Sequence, residues 1–375
     1  MYCYCMKLSS FNKKFIAYCV KNRLGKTNFS VKVIYFVTNL LGRFEAYINT
    51  EDFKKRGHYV PQFLLRRFRL SESGPSKGMI YQYSFLANLI TEESIKDIAQ
   101  IEDLYIFKQK GGGHSDYVEK EIYANWIENF GSQVIKRINL ADDDPSLTIL
   151  EQNVLATFLS HQITRTPTFY FQIRKYILFL YEKRLLKIED LGNRVFLEEV
   201  IVKNKHNLTY EDLVNFTPKN SFVGDVNHLG HLSRMIAGSM MEDIFRHNFH
   251  FLHIPEESDD EFVISDNPVV FVDFSKFEVK RYVDWWSKRC DNIWIFIPIS
   301  PKKCLYLTTK RRIDGPVEID NGDMATTVNF GQYLNAMNFV YSRNDNLIKN
   351  HMKTFLHELL KYKQIVADPK EVLKK

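Results

Sequence analysis

The middle of the chain carries a periodic apolar pattern that restricts the fold more than any other feature. From Tyr117 to Ile138, apolar residues recur at intervals of four, which is the spacing of one face of an α-helix. Other helices are predicted at Leu147–Thr164, Pro167–Leu186, His228–Phe251, Thr327–Val340 and Leu347–Lys363. The central part of the protein is therefore expected to be a helical block.

Short β-type runs lie on both sides of this block. On the N-terminal side, Met79–Tyr83 and Leu89–Thr91 flank a short connection and predict a β-hairpin. On the C-terminal side the β-rich runs are Phe262–Ser265, Val269–Val272, Phe277–Tyr282, Ile293–Ile297 and Cys304–Leu307. Strands, then helices, then strands predict an α+β fold. We expect a central α-helical block with a small N-terminal β unit and a larger C-terminal β unit.

The positive charge of the chain is concentrated at its start. The sequence has 51 Lys and Arg against 45 Asp and Glu, a formal net charge of +6. Residues 1–56 hold 11 basic and three acidic residues, or +8, which leaves 40 basic and 42 acidic residues, or −2, in the remainder. We therefore predict a basic N-terminal extension over residues 1–56 and a single α+β domain with a C-terminal helix over residues 57–375. A cationic extension binds nucleic-acid phosphates or is simply solvated.

Cysteine usage and apolar runs bear on the compartment. The five cysteines include no CxxC pair, so neither a disulfide framework nor a cysteine zinc site is predicted. This usage favours a reducing, cytoplasmic setting. The apolar run Val31–Leu41 is interrupted by polar residues and is too short to cross a bilayer. We expect no membrane association.

Several segments, taken in order, resemble one protein family. They are His58–Phe68 (HYVPQFLLRRF), Ile80–Tyr83, Ile101–Phe107, Phe158–Pro167 (FLSHQITRTP), Phe262–Phe271 (FVISDNPVVF), Ile297–Thr308 and Asn335–Asn344 (NAMNFVYSRN). Together they resemble DUF4238, a family of unknown function, over about residues 57–345. Members often carry a second histidine where this chain has Gly57, and they tend to begin near this motif. The resemblance implies no activity, and the basic extension lies outside the family pattern.

The first two motifs place polar residues near helix ends. If Pro61 starts a helical turn, Gln62 and Arg66 share a face at i,i+4, with His58 just ahead of it. Such a group binds phosphate or carboxylate, or it fastens the start of the domain to its body. In the second motif, Gln162 and Arg165 precede a proline that ends or kinks a helix. Arg165 then either complements the terminal carbonyls or projects into a cleft.

The third motif, Ser-Asp-Asn-Pro, separates two apolar runs. Asp266 and Asn267 either cap a tight turn through their own backbone or take part in chemistry. An Asp at a strand end, followed by Glu278 and Lys280 on the next candidate strand, is a pattern typical of metal-dependent nucleases. In that hypothesis Asp266 and Glu278 hold Mg²⁺ or Mn²⁺, and Lys280 steadies the attacking water.

Histidines are concentrated before the C-terminal β-rich part. They are His228, His231, His247, His250 and His253. On a helix, two pairs of them would share a face at i,i+3 and could ligate a transition metal. Arg246–His247 with His253 six residues later also has the spacing of the helical HEPN ribonucleases. A solvated or hydrogen-bonded helix face is the plainer interpretation.

Two functional hypotheses follow, and the sequence leaves open whether the protein is an enzyme. The first is a metal-dependent nuclease or phosphodiester hydrolase of the kind found in defence or toxin systems. Its catalytic residues would be Asp266, Glu278, Lys280 and His58, and nucleic acid would bind through the basic extension or an Arg/His cleft. Its substrate-binding residues would be Gln62, Arg66, Gln162, Arg165 and Asn267. The second is a non-enzymatic module that binds a small anionic ligand or a protein partner. In both hypotheses the motifs are expected to converge on one cleft.

Overall fold

The structure is a computed structural model with an α+β fold. It describes residues 56–102, 104, 107–108, 114–115, 118–141, 145–170, 226–273, 278–280, 293–308 and 321–362. All of these residues belong to one compact unit, Asn49–Lys375. Helices and antiparallel sheets combine within it, which confirms the α+β prediction. The predicted basic extension lies outside the described residues apart from Arg56.

The N-terminal β unit contains the predicted hairpin and two small strand pairs. Its strands are β1 (Arg56–His58), β2 (Met79–Ser84), β3 (Leu89–Ser94), β4 (Gln100–Glu102), β5 (Phe107–Lys108) and β6 (His114–Ser115). β2 and β3 form the hairpin, β1 pairs with β4, and β5 pairs with β6. Residues 95–99 form a turn that leads into β4. A short helix, α1 (Gln62–Leu65), follows β1.

The helical block forms around Tyr117–Ile138 and Leu147–Thr164 as predicted, whereas the helix predicted at Pro167–Leu186 lies outside the described residues beyond residue 170. It contains a π-helix (Val118–Glu128), α2 (Asn129–Leu140), α3 (Ile149–Thr164) and α4 (Val226–Phe245). A capping box starts α3, because Thr148 accepts a hydrogen bond from the Glu151 amide while Glu151 accepts one from the Thr148 amide. α3 is buried along much of its length because it packs against both α2 and α4. Among the described residues, no helix is both long and apolar enough to cross a lipid bilayer.

The C-terminal β unit is a five-stranded antiparallel sheet. In spatial order its strands are β10 (Glu278–Lys280), β9 (Val270–Asp273), β11 (Ile293–Pro298), β12 (Lys303–Thr308) and β7 (Asn248–His253). The central strand β11 is buried at every position and has the continuous apolar sequence IWIFIP. Such a run indicates a strand that is covered on both faces.

A second, four-stranded sheet joins the N-terminal hairpin to strands from the later part of the described chain. Its order is β3-β2-β13-β8, so the N-terminal hairpin pairs with β13 (Phe339–Ser342), which pairs in turn with β8 (Ile264–Ser265). The last two helices are α5 (Asn321–Asn335) and α6 (Asp345–Tyr362). Both helices contribute to an apolar core with Tyr83 and Val263. The first and last thirds of the family domain are therefore one folding unit.

Two predicted helices end earlier than expected. The helix predicted to reach Phe251 ends at Phe245, and β7 follows because it extends the sheet beside β12. The helix predicted to reach Val340 ends at Asn335. Beyond it, the backbone amides of Met337 and Asn338 donate to Asp266 instead of continuing the helix.

Candidate functional site

The first motif forms a row of three hydrogen-bonded side chains. Pro61 precedes α1, which places Gln62 and Arg66 one turn apart, as expected. Arg66 Nη2 donates to Gln62 Oε1 at 2.6 Å, and Gln62 Nε2 lies 3.1 Å from His58 Nε2. Because Arg66 fixes the amide orientation, Gln62 donates to His58 Nε2 in the tautomer that leaves this nitrogen without a proton. The Lys96 carbonyl oxygen, 3.2 Å from the same nitrogen, is its acceptor in the other tautomer.

The outer end of this row is an exposed arginine that is followed in the sequence by further arginines. His58 is buried, whereas Arg66 is exposed. The next residue, Arg67, is half-buried, and burial together with the neighbouring Arg69 lowers the pKa of Arg67 below its ordinary value. Arg69 is itself paired with Glu72. Within the described part of the chain, neither Arg66 nor Arg67 has a carboxylate partner. The row thus ends in unneutralised positive charge.

The second motif lies in the protein interior. Arg165 follows the last residue of α3, and only 1% of its side-chain surface is exposed. Its Nε and Nη2 donate to Gln162 Oε1 at 3.0 and 2.8 Å, and its Nη1 donates to Glu128 Oε1 at 2.8 Å. Gln162 Nε2 donates to the Tyr59 carbonyl oxygen at 2.9 Å. The helix-end prediction for Arg165 is met, and the second motif holds the first motif by its backbone.

The π-helix contributes residues to this centre that sequence reasoning missed. Tyr123 lies under the Arg165 guanidinium, 5.1 Å from ring centroid to Cζ, and Glu128 pairs with the same guanidinium. The widened turn of a π-helix changes which residues share a face, and such turns are common at functional sites. The four-residue periodicity of this segment carries no signal for that change. Tyr123 and Glu128 could therefore not be recognised beforehand.

A neutral histidine lies beside Arg165. Burial, together with the cations of Arg165 and Arg234, lowers the pKa of His161 to about 3. Within the described residues, His161 Nδ1 is buried and has no hydrogen-bond partner. The ring of Tyr123 meets the imidazole edge-on at 5.8 Å between centroids. His161 is thus an uncharged group in a cationic surrounding, and it would be a weak general base at neutral pH.

In the third motif, Asp266 accepts hydrogen bonds from three consecutive backbone amides. Its Oδ1 accepts from Met337 at 2.7 Å, and its Oδ2 accepts from Asn338 at 2.8 Å and from Phe339 at 2.9 Å. Only 2% of the residue is exposed. The following Asn267 exchanges side-chain and backbone hydrogen bonds with Asn335 of α5. The carboxylate thus ties the turn after β8 to the start of β13.

Tyr59 and Tyr341 link the first motif to the third. Burial raises the pKa of Tyr341 well above its ordinary value, and the adjacent Tyr59 and Asp266 add to this effect. Tyr59 is the residue whose carbonyl oxygen binds Gln162. Tyr341 therefore lies close to residues of both the first and the third motif. Most of the motif residues are buried, so the motifs converge on a shared centre more than on an open cleft.

The remaining predicted site residues lie elsewhere. Glu278 and Lys280 are in β10, where they pair with Asp273 and Phe271 of β9. Asp266 precedes β9 in the chain, whereas Glu278 lies beside the last residue of β9. Asn267 lines a small pocket with Thr166 and Asn335, which has room for about one water molecule. The structure gives the backbone positions of Glu278 and Lys280 in β10. Their side chains lie outside the part of the structure that is described.

The histidine hypotheses depended on a continuous helix, and its end at Phe245 removes their basis for three of the five residues. His247 follows α4, while His250 and His253 are in β7. The prediction that His247 and His250 share a helix face is therefore wrong, and the HEPN hypothesis loses the helix that it requires. His228 and His231 are in α4, but their side chains lie outside the described residues. Among the described residues, no three His, Cys, Asp or Glu side chains are arranged to hold a metal ion.

Comparison with known proteins agrees with the fold and the motifs. The geometry defines an α+β protein with a buried polar centre. A family model described as "Protein of unknown function (DUF4238)" matches residues 56–346, which is most of the chain. The protein belongs to this family, as the motifs predicted. No curated protein and no solved structure is significantly similar to the chain.

Proposed function

We propose that this protein is a module that binds a small anionic ligand, with His58, Gln62 and Arg66 as the contact residues. The observation that carries the proposal is the hydrogen bond from Arg66 to Gln62, which holds an exposed guanidinium in one orientation. Within the described residues no carboxylate neutralises that cation. A positioned guanidinium presents a fork of N–H donors that matches the oxygens of a phosphate or carboxylate.

Arg67 supports the same proposal through electrostatics. Two cations in proximity destabilise each other, and the lowered pKa of Arg67 beside Arg69 reflects this repulsion as well as burial. A bound anion would offset this cost, because it would interact favourably with the Arg67 guanidinium. The anion would therefore bind more tightly beside Arg66 and Arg67 than beside a single surface arginine.

The buried motif residues act as the scaffold of the proposed site. Gln162 and Arg165 use their polar atoms on protein groups, and Asn267 is bonded to Asn335. Gln162 fixes the Tyr59 backbone, which adjoins His58. These residues would influence the ligand by holding the binding row in place rather than by touching the ligand.

A metal-dependent nuclease or related phosphodiester hydrolase is the second candidate. The observation in its favour is β10, in which Glu278 and Lys280 occupy alternate positions beside β9. Asp266 and Glu278 would hold Mg²⁺ or Mn²⁺, and nucleic acid would approach through residues 1–56 or the Arg/His row. The engagement of both Asp266 oxygens by backbone amides weighs against a metal there. A cytoplasmic location and a defence or toxin role belong to this candidate as proposals.

Titration calorimetry of the full-length protein with inorganic phosphate tests the binding module. We expect saturable binding that Arg66→Ala weakens by about tenfold, since a charge-assisted hydrogen bond contributes about 1.5–3 kcal/mol. Arg66→Lys should restore part of it. Arg246→Ala is the matched control, because it removes the same charge from an exposed arginine that is paired with Glu242. Equal losses in both alanine variants, or no binding at all, would refute the proposed site.

A nuclease assay separates the two candidates. Purified protein is incubated with DNA and with RNA, with and without Mg²⁺ or Mn²⁺. Glu278→Gln is a cleaner probe than Asp266→Ala, because Asp266 has a structural role whose loss alone could unfold the protein. Metal-dependent cleavage that Glu278→Gln abolishes would favour the hydrolase over the binding module. Cleavage that persists in Glu278→Gln would not support the hydrolase.

A further inference from the structure

The strand β3 forms an outer edge of the four-stranded sheet. It pairs along Leu89–Ser94 with β2, and the strand order β3-β2-β13-β8 leaves its other side at the border. Within the described part of the chain, no other strand pairs with β3. An edge strand presents a row of backbone N–H and C=O groups that another extended chain can use. β3 is therefore a place where a strand can be added.

The edge is held in position by its hairpin loop. Tyr83 Oη donates to Asn88 Oδ1 at 2.9 Å, and the amide of Leu86 donates to Asn338 Oδ1 at 2.9 Å. Asn88 has a positive φ of 50°, a conformation that asparagine tolerates better than most residues. The loop is thus tied to the sheet, and an incoming chain would meet an ordered edge with little further entropy loss.

The side chains along the edge restrict its partner. Leu86 and Leu89 are 56% and 55% exposed and form an apolar end. Glu92 and Glu93 lie at the other end, and among the described residues neither forms an ion pair. Consecutive residues of a strand point to opposite faces, so acidic groups border the edge on both faces. A basic and partly apolar chain complements this surface.

The same charges disfavour a second copy of this protein as the occupant. Antiparallel pairing of two β3 strands about their centre would bring Glu92 and Glu93 of one copy close to those of the other. In that register the glutamates would be diagonal neighbours across the two strands and would repel each other, and charged residues commonly protect edge strands against self-pairing. These charges therefore disfavour pairing of β3 with the β3 strand of a second copy and favour pairing with a cationic chain.

We propose that β3 is a docking edge for an extended basic segment of another protein, which pairs with β3 through backbone hydrogen bonds. Apolar side chains of that segment would cover Leu86 and Leu89, and its Lys or Arg side chains would face Glu92 and Glu93. Strand addition of this kind takes affinity from the main chain and specificity from the side chains. The proposal is independent of the anion site, which involves different residues.

The experiment uses full-length protein and a capped, fluorescent peptide, Val-Lys-Lys-Val-Thr-Val, which matches the six residues of β3 in antiparallel register. Two matched probes replace both lysines by glutamate, or carry N-methyl groups on alternate backbone nitrogens. Anisotropy titration should show binding of the basic peptide. We expect at least about tenfold weaker binding of each matched probe, because one loses charge complementarity and the other loses backbone donors.

Protein variants and hydrogen exchange then locate the site. Glu92→Lys should lower the affinity for the basic peptide by about tenfold. Glu257→Lys makes an equal charge change at an exposed loop residue and should leave the affinity unaltered. Peptide binding should slow amide exchange within Leu89–Ser94. Equal binding of the N-methylated peptide, equal effects of both variants or protection elsewhere would each overturn the proposal. So would a dimer in light scattering with protected β3 amides in peptide-free protein.

Discussion

The guanidinium of Arg165 donates two hydrogen bonds to one side-chain oxygen of Gln162, from Nε at 3.0 Å and from Nη2 at 2.8 Å. This geometry fixes the orientation of the Gln162 amide. Its nitrogen is consequently directed to the Tyr59 carbonyl, which it reaches at 2.9 Å. One buried arginine therefore determines how the second family motif holds the first.

Replacing Arg165 should destabilise the protein strongly. Arg165→Ala leaves Glu128 and Gln162 without their partner, and breaking a buried ion pair by removing one member costs about 3–5 kcal/mol. Arg165→Lys cannot reproduce the fork of donors and should cost less, about 1–3 kcal/mol. Urea unfolding followed by circular dichroism measures both values. A loss below about 1 kcal/mol for Arg165→Ala would contradict the structural role.

Asp266→Asn should show whether the carboxylate is needed for the fold. An amide has one acceptor oxygen, and its NH₂ group would face backbone donors that now bind Asp266. We expect a loss of about 2–4 kcal/mol in the free energy of unfolding. Asp260→Asn, at an exposed position, is the control and should change stability by less than about 0.5 kcal/mol. Equal stability of both variants would argue that Asp266 is free for another role.

The buried neutral His161 predicts a pH dependence of stability. Its pKa falls from the ordinary 6.5 to about 3 in the folded protein, so only the unfolded chain takes up this proton as the pH drops below 6.5. Its contribution is therefore fully present above pH 6.5 and is lost progressively between 6.5 and about 3.

His161→Gln removes this titration and isolates its effect. Urea midpoints at about pH 7.5 and about pH 5 should differ more in the parent protein than in the variant. Poor packing of the glutamine would lower the stability of the variant at both pH values. Comparing the change in stability between the two pH values, rather than the stability itself, removes this effect. A variant whose stability depends on pH as steeply as that of the parent would show that His161 is not the titrating group.

Gly331 in α5 should not tolerate a methyl group. A Cβ atom there would lie 2.8 Å from Val270 Cγ1 in β9. Val270 is fully buried and β-branched, so it cannot rotate away readily. Although alanine is a better helix former by about 1 kcal/mol, we expect Gly331→Ala to destabilise by about 1–3 kcal/mol.

A double-mutant cycle identifies the clash as the cause. Val270→Ala makes room for the added methyl group, so the double variant should lose less stability than the sum of the two single losses. Chemical denaturation of the four proteins provides the coupling energy. Additive losses would indicate that Gly331 is required for some reason other than its approach to Val270.

Local sequence patterns predicted much of the fold. The helix around Ile138 has apolar periodicity, and the hairpin at Asn88 has two short strands around a turn. Prediction failed at Asn248–His253, where a short apolar stretch is compatible with either period. There, pairing with β12 rather than local preference determines a strand. The hydrogen bond between Gln62 and Arg66 was also predictable, because the contact of i,i+4 neighbours is a local property.

The sequence by itself determined the α+β class, the family and the polar residues of three motifs. Only the tertiary structure decided what those residues bind. Asp266 accepts hydrogen bonds from amides 71, 72 and 73 residues later in the chain. Every residue except proline has a backbone amide, so such partners leave no signature in the sequence. The partner of Arg165 is a carboxylate that a π-helix brings into reach, and helix periodicity does not reveal that widened turn.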